Sequence, residues 1–144
     1  MAHLAEYQGK TPEKWKRIWK QLFSGNYMMI LTEPLISEIF YQVEIRDGKS
    51  AAQSYLLKLK SMKNVHVIPD KDGDIMAFAA GSFKVKHKRH KVSLVDSYII
   101  AAAVTEGATI YTTDPGVRDA AKQEKRCHVD YLPKEALIDD LTNG

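Results

Sequence analysis

Apolar residues recur along this chain in two rhythms, one helical and one short and continuous. After Thr11-Pro12-Glu13, which supplies an N-cap, a first-position proline and an early acid, Trp15, Ile18, Trp19, Leu22 and Phe23 fall at helical spacing. They predict a first helix with its aromatic face inward, ending near Ser24-Gly25-Asn26. Tyr27-Met28-Met29-Ile30-Leu31 reads as a buried strand, and Thr32-Glu33-Pro34 opens a second helix with Ile36, Ile39, Phe40 and Val43 on one side. That helix stops at Asp47-Gly48, and a third runs from about Ser50 to Met62 with Leu56, Leu57 and Leu59. Val65-His66-Val67-Ile68-Pro69 is a short strand ended by its proline. A fourth helix spans roughly Asp72 to Phe83, and an apolar fifth begins near Ser93. Thr109 to Thr112 forms a strand, Gly116 to Gln123 a short helix, Cys127 to Tyr131 a last strand, and Pro133 opens a C-terminal helix.

Strands separated by helices imply a short parallel sheet with helices on both faces, a three-layer α/β/α arrangement. The chain has 144 residues, 44% of them hydrophobic and 27% charged, which suits one ordinary domain over residues 1–144 with a sizeable core. The single Cys127 excludes an internal disulfide and any multi-cysteine zinc site, and it suits a reducing compartment. With no apolar run of the ~18 residues that a membrane span needs, and no secretory signal pattern, the sequence reads as a cytoplasmic protein without a membrane partner.

Charge changes the picture locally. The net charge is +3, but Lys84, Lys86, Lys88, Arg89 and Lys91, with His87 and His90 among them, form one basic stretch. Such a stretch serves either to contact phosphates, in a salt-dependent way, or as a solvated and mobile connection between two helices. It leads straight into Ser93-Leu94-Val95-Asp96, an apolar helix with one carboxylate in its opening turn. Asp114 follows the strand Thr109–Thr112, and Glu38 lies at the edge of the second helix's apolar face. Each acid has a plain structural account. Ser93 and Asp96 have the spacing of a capping box, Asp114 precedes Pro115 as an N-cap would, Asp119 suits an exposed helix position, and Glu38 suits a Lys or Arg partner. Those accounts leave unexplained why helix starts and strand ends deliver several acids to one rim of an α/β sheet, where such folds place their chemistry.

Carboxylates clustered in this way suit Mg2+ or Mn2+, hard cations that take oxygen ligands and activate water against a phosphodiester. A phosphate-binding G-x-x-x-x-G-K loop, a G-x-S-x-G elbow and an H-E-x-x-H zinc motif are all missing from the sequence. The order Thr32-Glu33-Pro34-Leu35-Ile36-Ser37-Glu38-Ile39, then Ser93 to Ala103, then Ile110-Tyr111-Thr112-Thr113-Asp114, resembles the PIN-domain nucleases, particularly the VapC-type toxins and their archaeal relatives. The likeness runs from the Trp15 helix to Tyr131. It implies the PIN-like fold, with Glu38, Asp96 and Asp114 as metal-binding, catalytic acids and Asp119 as an accessory. It also implies Thr112 or Thr113 as the small hydroxyl residue beside the last acid, and Lys86, Lys88 and Arg89 become the candidates for substrate contact. The family further implies cleavage of single-stranded RNA with magnesium or manganese, frequent homodimers and, in the toxin branch, an antitoxin protein that blocks the site.

Members of the family begin with an apolar strand ending in an aspartate, and that strand lies in the middle of the sheet. Here His3 to Lys10 looks like the sequence just after that aspartate, and no Asp occurs before Asp47. The expectation is a chain that starts late or lacks one metal ligand, with Glu6 as the nearest substitute, weak activity and a tendency to associate through the sheet. Two other functions fit the pattern: a non-catalytic RNA- or partner-binding module in which the acids only cap helices, and a magnesium-dependent phosphatase or receiver-like domain. The second would need a strand-end lysine after Asp114, and the sequence has none suitably placed.

Overall fold

The computed structural model describes residues 13–68 and 74–132, and the chain divides after Ile68 into two compact units. The expected Thr11-Pro12 cap, the Glu6 substitute, the strand end at Pro69, the helix start at Asp72 and the helix from Pro133 lie outside the described residues.

In the first unit, α1 (Glu13–Phe23) buries Trp15 and Leu22. Phe23, expected to face inward, is 63% exposed and stacks on Trp19 with ring centroids 5.3 Å apart. The helix ends in a turn through Gly25 at φ 82°, where Asn26 and Tyr27 still donate to the Gln21 carbonyl. The Asn64 side-chain amide holds this turn by donating to the carbonyls of Leu22 (2.6 Å) and Tyr27 (2.7 Å). Tyr27 is thereby committed to the turn, and the strand expected from Tyr27 begins at Met29 instead. This strand, β1 (Met29–Thr32), pairs in parallel with β2 (Val65–Ile68), Met29 opposite Val65 and Thr32 opposite Ile68. Parallel pairing requires a crossover, supplied by α2 (Glu33–Asp47) and α3 (Lys49–Ser61). Thr32 caps α2, its Oγ1 accepting from the Leu35 N–H at 3.4 Å, and Gly48 at φ 92° turns the chain between the two helices. Leu31, Ile39, Val43, Ala52, Leu56, Leu59 and Val65 form the core, whereas Leu57 points outward at 73% exposure.

The second unit contains α4 (Ile75–Lys86), a 3-10 turn (Lys88–His90), α5 (Leu94–Glu106), β3 (Thr109–Thr112), α6 (Pro115–Lys122) and β4 (His128–Tyr131). Strands β3 and β4 pair in parallel across α6, Thr109 opposite His128 and Thr112 opposite Tyr131. α5 buries Ser97 and the run Ile100, Ala101, Ala102 and Ala103, and α4 packs against it. Val92, Ile100, Ala103, Ile110, Val117, Ala120, Ala121 and Cys127 make the core of this unit. The expected α/β architecture is thus present, its parallel pairing divided between two two-stranded sheets, each flanked by helices. No helix among the described residues is long and apolar enough to cross a membrane.

One element differs in kind from the expectation. The basic stretch is an ordered continuation of α4 into the 3-10 turn, in place of a loose connection. The cause is His87, which the helical spacing of Ala80, Phe83 and His87 directs into the unit's interior, where it is fully buried. Its Nε2 lies 2.9 Å from Glu124 Oε1, and its ring stacks on Phe83 at 6.1 Å.

Candidate functional site

Asp96 occupies the third position of α5. Its backbone N–H donates to Ser93 Oγ at 3.0 Å, and its Oδ2 accepts from the Ser93 N–H at 3.0 Å, a complete capping box. The buried Ser97 hydroxyl adds a bond to the Ser93 carbonyl at 2.9 Å. The structural account of Asp96 is therefore correct, yet it uses only one carboxylate oxygen. Oδ1 has no hydrogen bond or ion pair among the described residues. The side chain is half-buried, and the positive end of the helix favours its charge.

Asp114 repeats the arrangement at the end of β3. Its N–H donates to Thr112 Oγ1 at 3.0 Å, and its Oδ1 accepts from the N–H groups of Gly116 (2.7 Å) and Val117 (3.3 Å), which caps α6 ahead of Pro115. Oδ2 is left without a partner among the described residues. Beside it Thr113 is 1% exposed, and its hydroxyl finds no hydrogen-bond partner among the described residues. A buried polar atom left unpaired calls for an explanation, and an ion or water held there is one.

Both acids belong to the second unit, on elements joined by a short turn. Gly107, at φ 64°, ends the helix, and only Ala108 separates it from β3. Ile100 and Ala103 of α5 and Ile110 of β3 share one core, so the helix packs against the strand that follows it.

The other candidates are placed differently. Glu38 is half-buried on α2, in the first unit. Asp119 lies on α6, its Oδ1 accepting from Arg118 Nε at 2.7 Å, and this hydrogen bond holds its carboxyl below the usual range. The Arg118 guanidinium in turn lies 4.4 Å over the Tyr131 ring. Within the basic stretch two lysines have structural partners: Lys84 Nζ donates to the Val92 carbonyl at 3.0 Å, and Lys86 Nζ to Glu124 Oε1 at 2.6 Å. Lys88 and Arg89 are exposed and have no such partner among the described residues. Of the three basic candidates for substrate contact, Lys86 is thus engaged in the fold while Lys88 and Arg89 are open.

Sequence reasoning missed Glu124, the acid on which Lys86 and His87 converge. Burial would raise its carboxyl, but the hydrogen bonds from Lys86 and His87 outweigh this and hold it below its ordinary value of 4.5. It missed Gly116 as well, although a glycine in the first turn of a helix, where other residues are better helix formers, was a visible signal.

Among the described residues no three His, Cys, Asp or Glu side chains stand together as a metal-holding group. Magnesium does not require three. It commonly keeps several waters and is held through one or two carboxylates together with substrate phosphates. The open oxygens of Asp96 and Asp114, and the Thr113 hydroxyl left unpaired among the described residues, are oxygen donors of the kind such an ion takes.

A comparison with protein-family models matches residues 3–123 to the PIN domain. A comparison with curated proteins gives no match.

Proposed function

The chain belongs to the PIN domain family, whose members are generally nucleases, and from that premise we propose that it is a metal-dependent endoribonuclease. The observation that carries this reading is the pair of half-used carboxylates. Asp96 and Asp114 each spend one oxygen on a helix cap and keep the other without a partner among the described residues.

In this reading the caps are part of the chemistry. A carboxylate tied to two helix N–H groups, as in Asp114, has its rotamer fixed before any ion arrives, so little ordering remains to be done on binding. Asp96 and Asp114 would hold Mg2+ or Mn2+, which when bound would supply a Lewis acid and an activated water for attack on the phosphodiester. Thr113 adds a hydroxyl beside Asp114, and Thr112 fixes the Asp114 backbone through its own. Lys88 and Arg89 bind substrate phosphates, a task open to them because they have no protein partner among the described residues. Asp119 is an accessory acid oriented by Arg118. Glu38 enters as a third metal-binding acid on the family resemblance alone. RNA as the substrate, pairing of two copies and a cognate antitoxin of the VapC type rest on that resemblance also.

A second reading, a non-catalytic RNA- or partner-binding module, is favoured by one observation: both acids are accounted for as caps. Cleavage of a labelled single-stranded RNA separates the two. The nuclease reading expects turnover in Mg2+ or Mn2+ that stops in chelator and falls at least a hundredfold in Asp96→Asn, in line with the several kcal/mol that metal-ion catalysis supplies. Cleavage that persists in chelator contradicts it, and salt-sensitive RNA binding without turnover favours the module.

A further inference from the structure

Gly116 stands in the first turn of α6, where alanine would ordinarily favour the helix, and its φ lies outside the left-handed region. Backbone conformation therefore does not select glycine here. Space does: a Cβ at this position would collide with the backbone carbonyl oxygen of His90 and stand 3.1 Å from Asp114 Oδ1. The 3-10 turn is thus seated directly on the first turn of α6, against the cap that Asp114 makes. His90 is held further by the Gln123 amide, 2.9 Å from its Nε2. On the side of α4, Lys86 and His87 are both bonded to Glu124. Fixed at both ends, the turn presents Lys88 and Arg89, two exposed cations without a partner among the described residues.

We propose that Gly116 is a positioning residue: by admitting the His90 carbonyl, it sets Lys88 and Arg89 beside Asp114 as the pair that binds the backbone phosphates of a single-stranded RNA. This rests on the nuclease reading and adds to it the device that couples the phosphate-binding turn to the acid. The close approach is to backbone, so the turn itself must move if a side chain is added.

The test is a coupling cycle, read by anisotropy of a labelled single-stranded oligoribonucleotide in chelator over a range of salt. It compares the wild type, Gly116→Ala, the double variant Lys88→Ala/Arg89→Ala, and the triple combination. The double variant is expected to weaken binding and to lower the slope of log K against log salt by about 0.7 for each phosphate that is no longer neutralised, so by about 1.4 in all. Gly116→Ala is expected to lower the slope in the same direction and to have no further effect in the double variant. Gln123→Ala, which loosens His90 without adding bulk near Asp114, serves if Gly116→Ala does not fold, and it should give a smaller decrease that also vanishes in the double variant. An unchanged slope in Lys88→Ala/Arg89→Ala, or effects that simply add, overturns the proposal. Parallel cleavage assays in Mg2+ separate the two ideas. Coupling without cleavage sinks the nuclease reading and leaves the positioning role standing, whereas cleavage without coupling sinks the positioning role alone.

Discussion

Asp96 and Asp114 each do two things at once, and the two can be taken apart by choice of substitution. Asparagine keeps an oxygen for the cap and loses the charge, while alanine loses both. Asp114→Ala is therefore expected to cost about 1 kcal/mol in urea unfolding and Asp114→Asn much less, because asparagine caps as well as aspartate. Cleavage should vanish in both. An Asp114→Asn variant that unfolds as easily as the alanine variant would show that the cap depends on charge rather than on the acceptor. Glu124 offers a test by pH. Its carboxyl is held below the ordinary value by Lys86 and His87, so its contribution is present above that value and is lost as pH falls through the lower, folded-state one. Stability should decline below about pH 4.5, and Glu124→Gln should flatten that part of the curve. Equal acid limbs in the two proteins would remove Glu124 from the account.

Among the elements, α5 and β3 matter most, because Asp96 stands in the first turn of one and Asp114 follows the end of the other. Gly107 makes the reversal at φ 64°, a conformation that costs other residues roughly 1–2 kcal/mol. Gly107→Ala should lower stability by about that amount in thermal or urea unfolding, and an unchanged midpoint would mean that the turn is not under that constraint. These elements were also the most legible in the sequence. An apolar run opened by Ser93-x-x-Asp96 and closed by Gly107, then Ile110-Tyr111-Thr112 before a proline, announces itself through local rules that the fold obeys. The basic stretch was not legible. Its lysines and histidines look solvated when read in order, whereas its course is set by His87 packing against Phe83 and bonding to Glu124, 37 residues further on. Leu57 and Phe23 erred for a related reason, since helical spacing marks apolar positions without saying which of them a neighbour covers. The capping accounts of Asp96 and Asp114 were legible too, but which oxygen each cap leaves open depends on side-chain geometry.

For the molecule as a whole, membership of the PIN domain family supplies the nuclease frame, and the two open carboxylates supply the specific claim within it. A cation held by the folded chain and not by the unfolded one must stabilise it, by about 2.7 kcal/mol at a hundredfold excess over the dissociation constant. Mn2+ should accordingly raise the melting temperature of the wild type and leave Asp96→Asn unmoved. An equal rise in both proteins would place the bound cation elsewhere. The most direct measurement is calorimetric titration of Mn2+ into the wild type, Asp96→Asn and Asp114→Asn, with unfolding curves taken on the same preparations. Saturable binding by the wild type, and its loss in both variants while their folding is preserved, is the expected result. Binding of equal strength in all three would contradict it, and would leave the two aspartates as helix caps and nothing more.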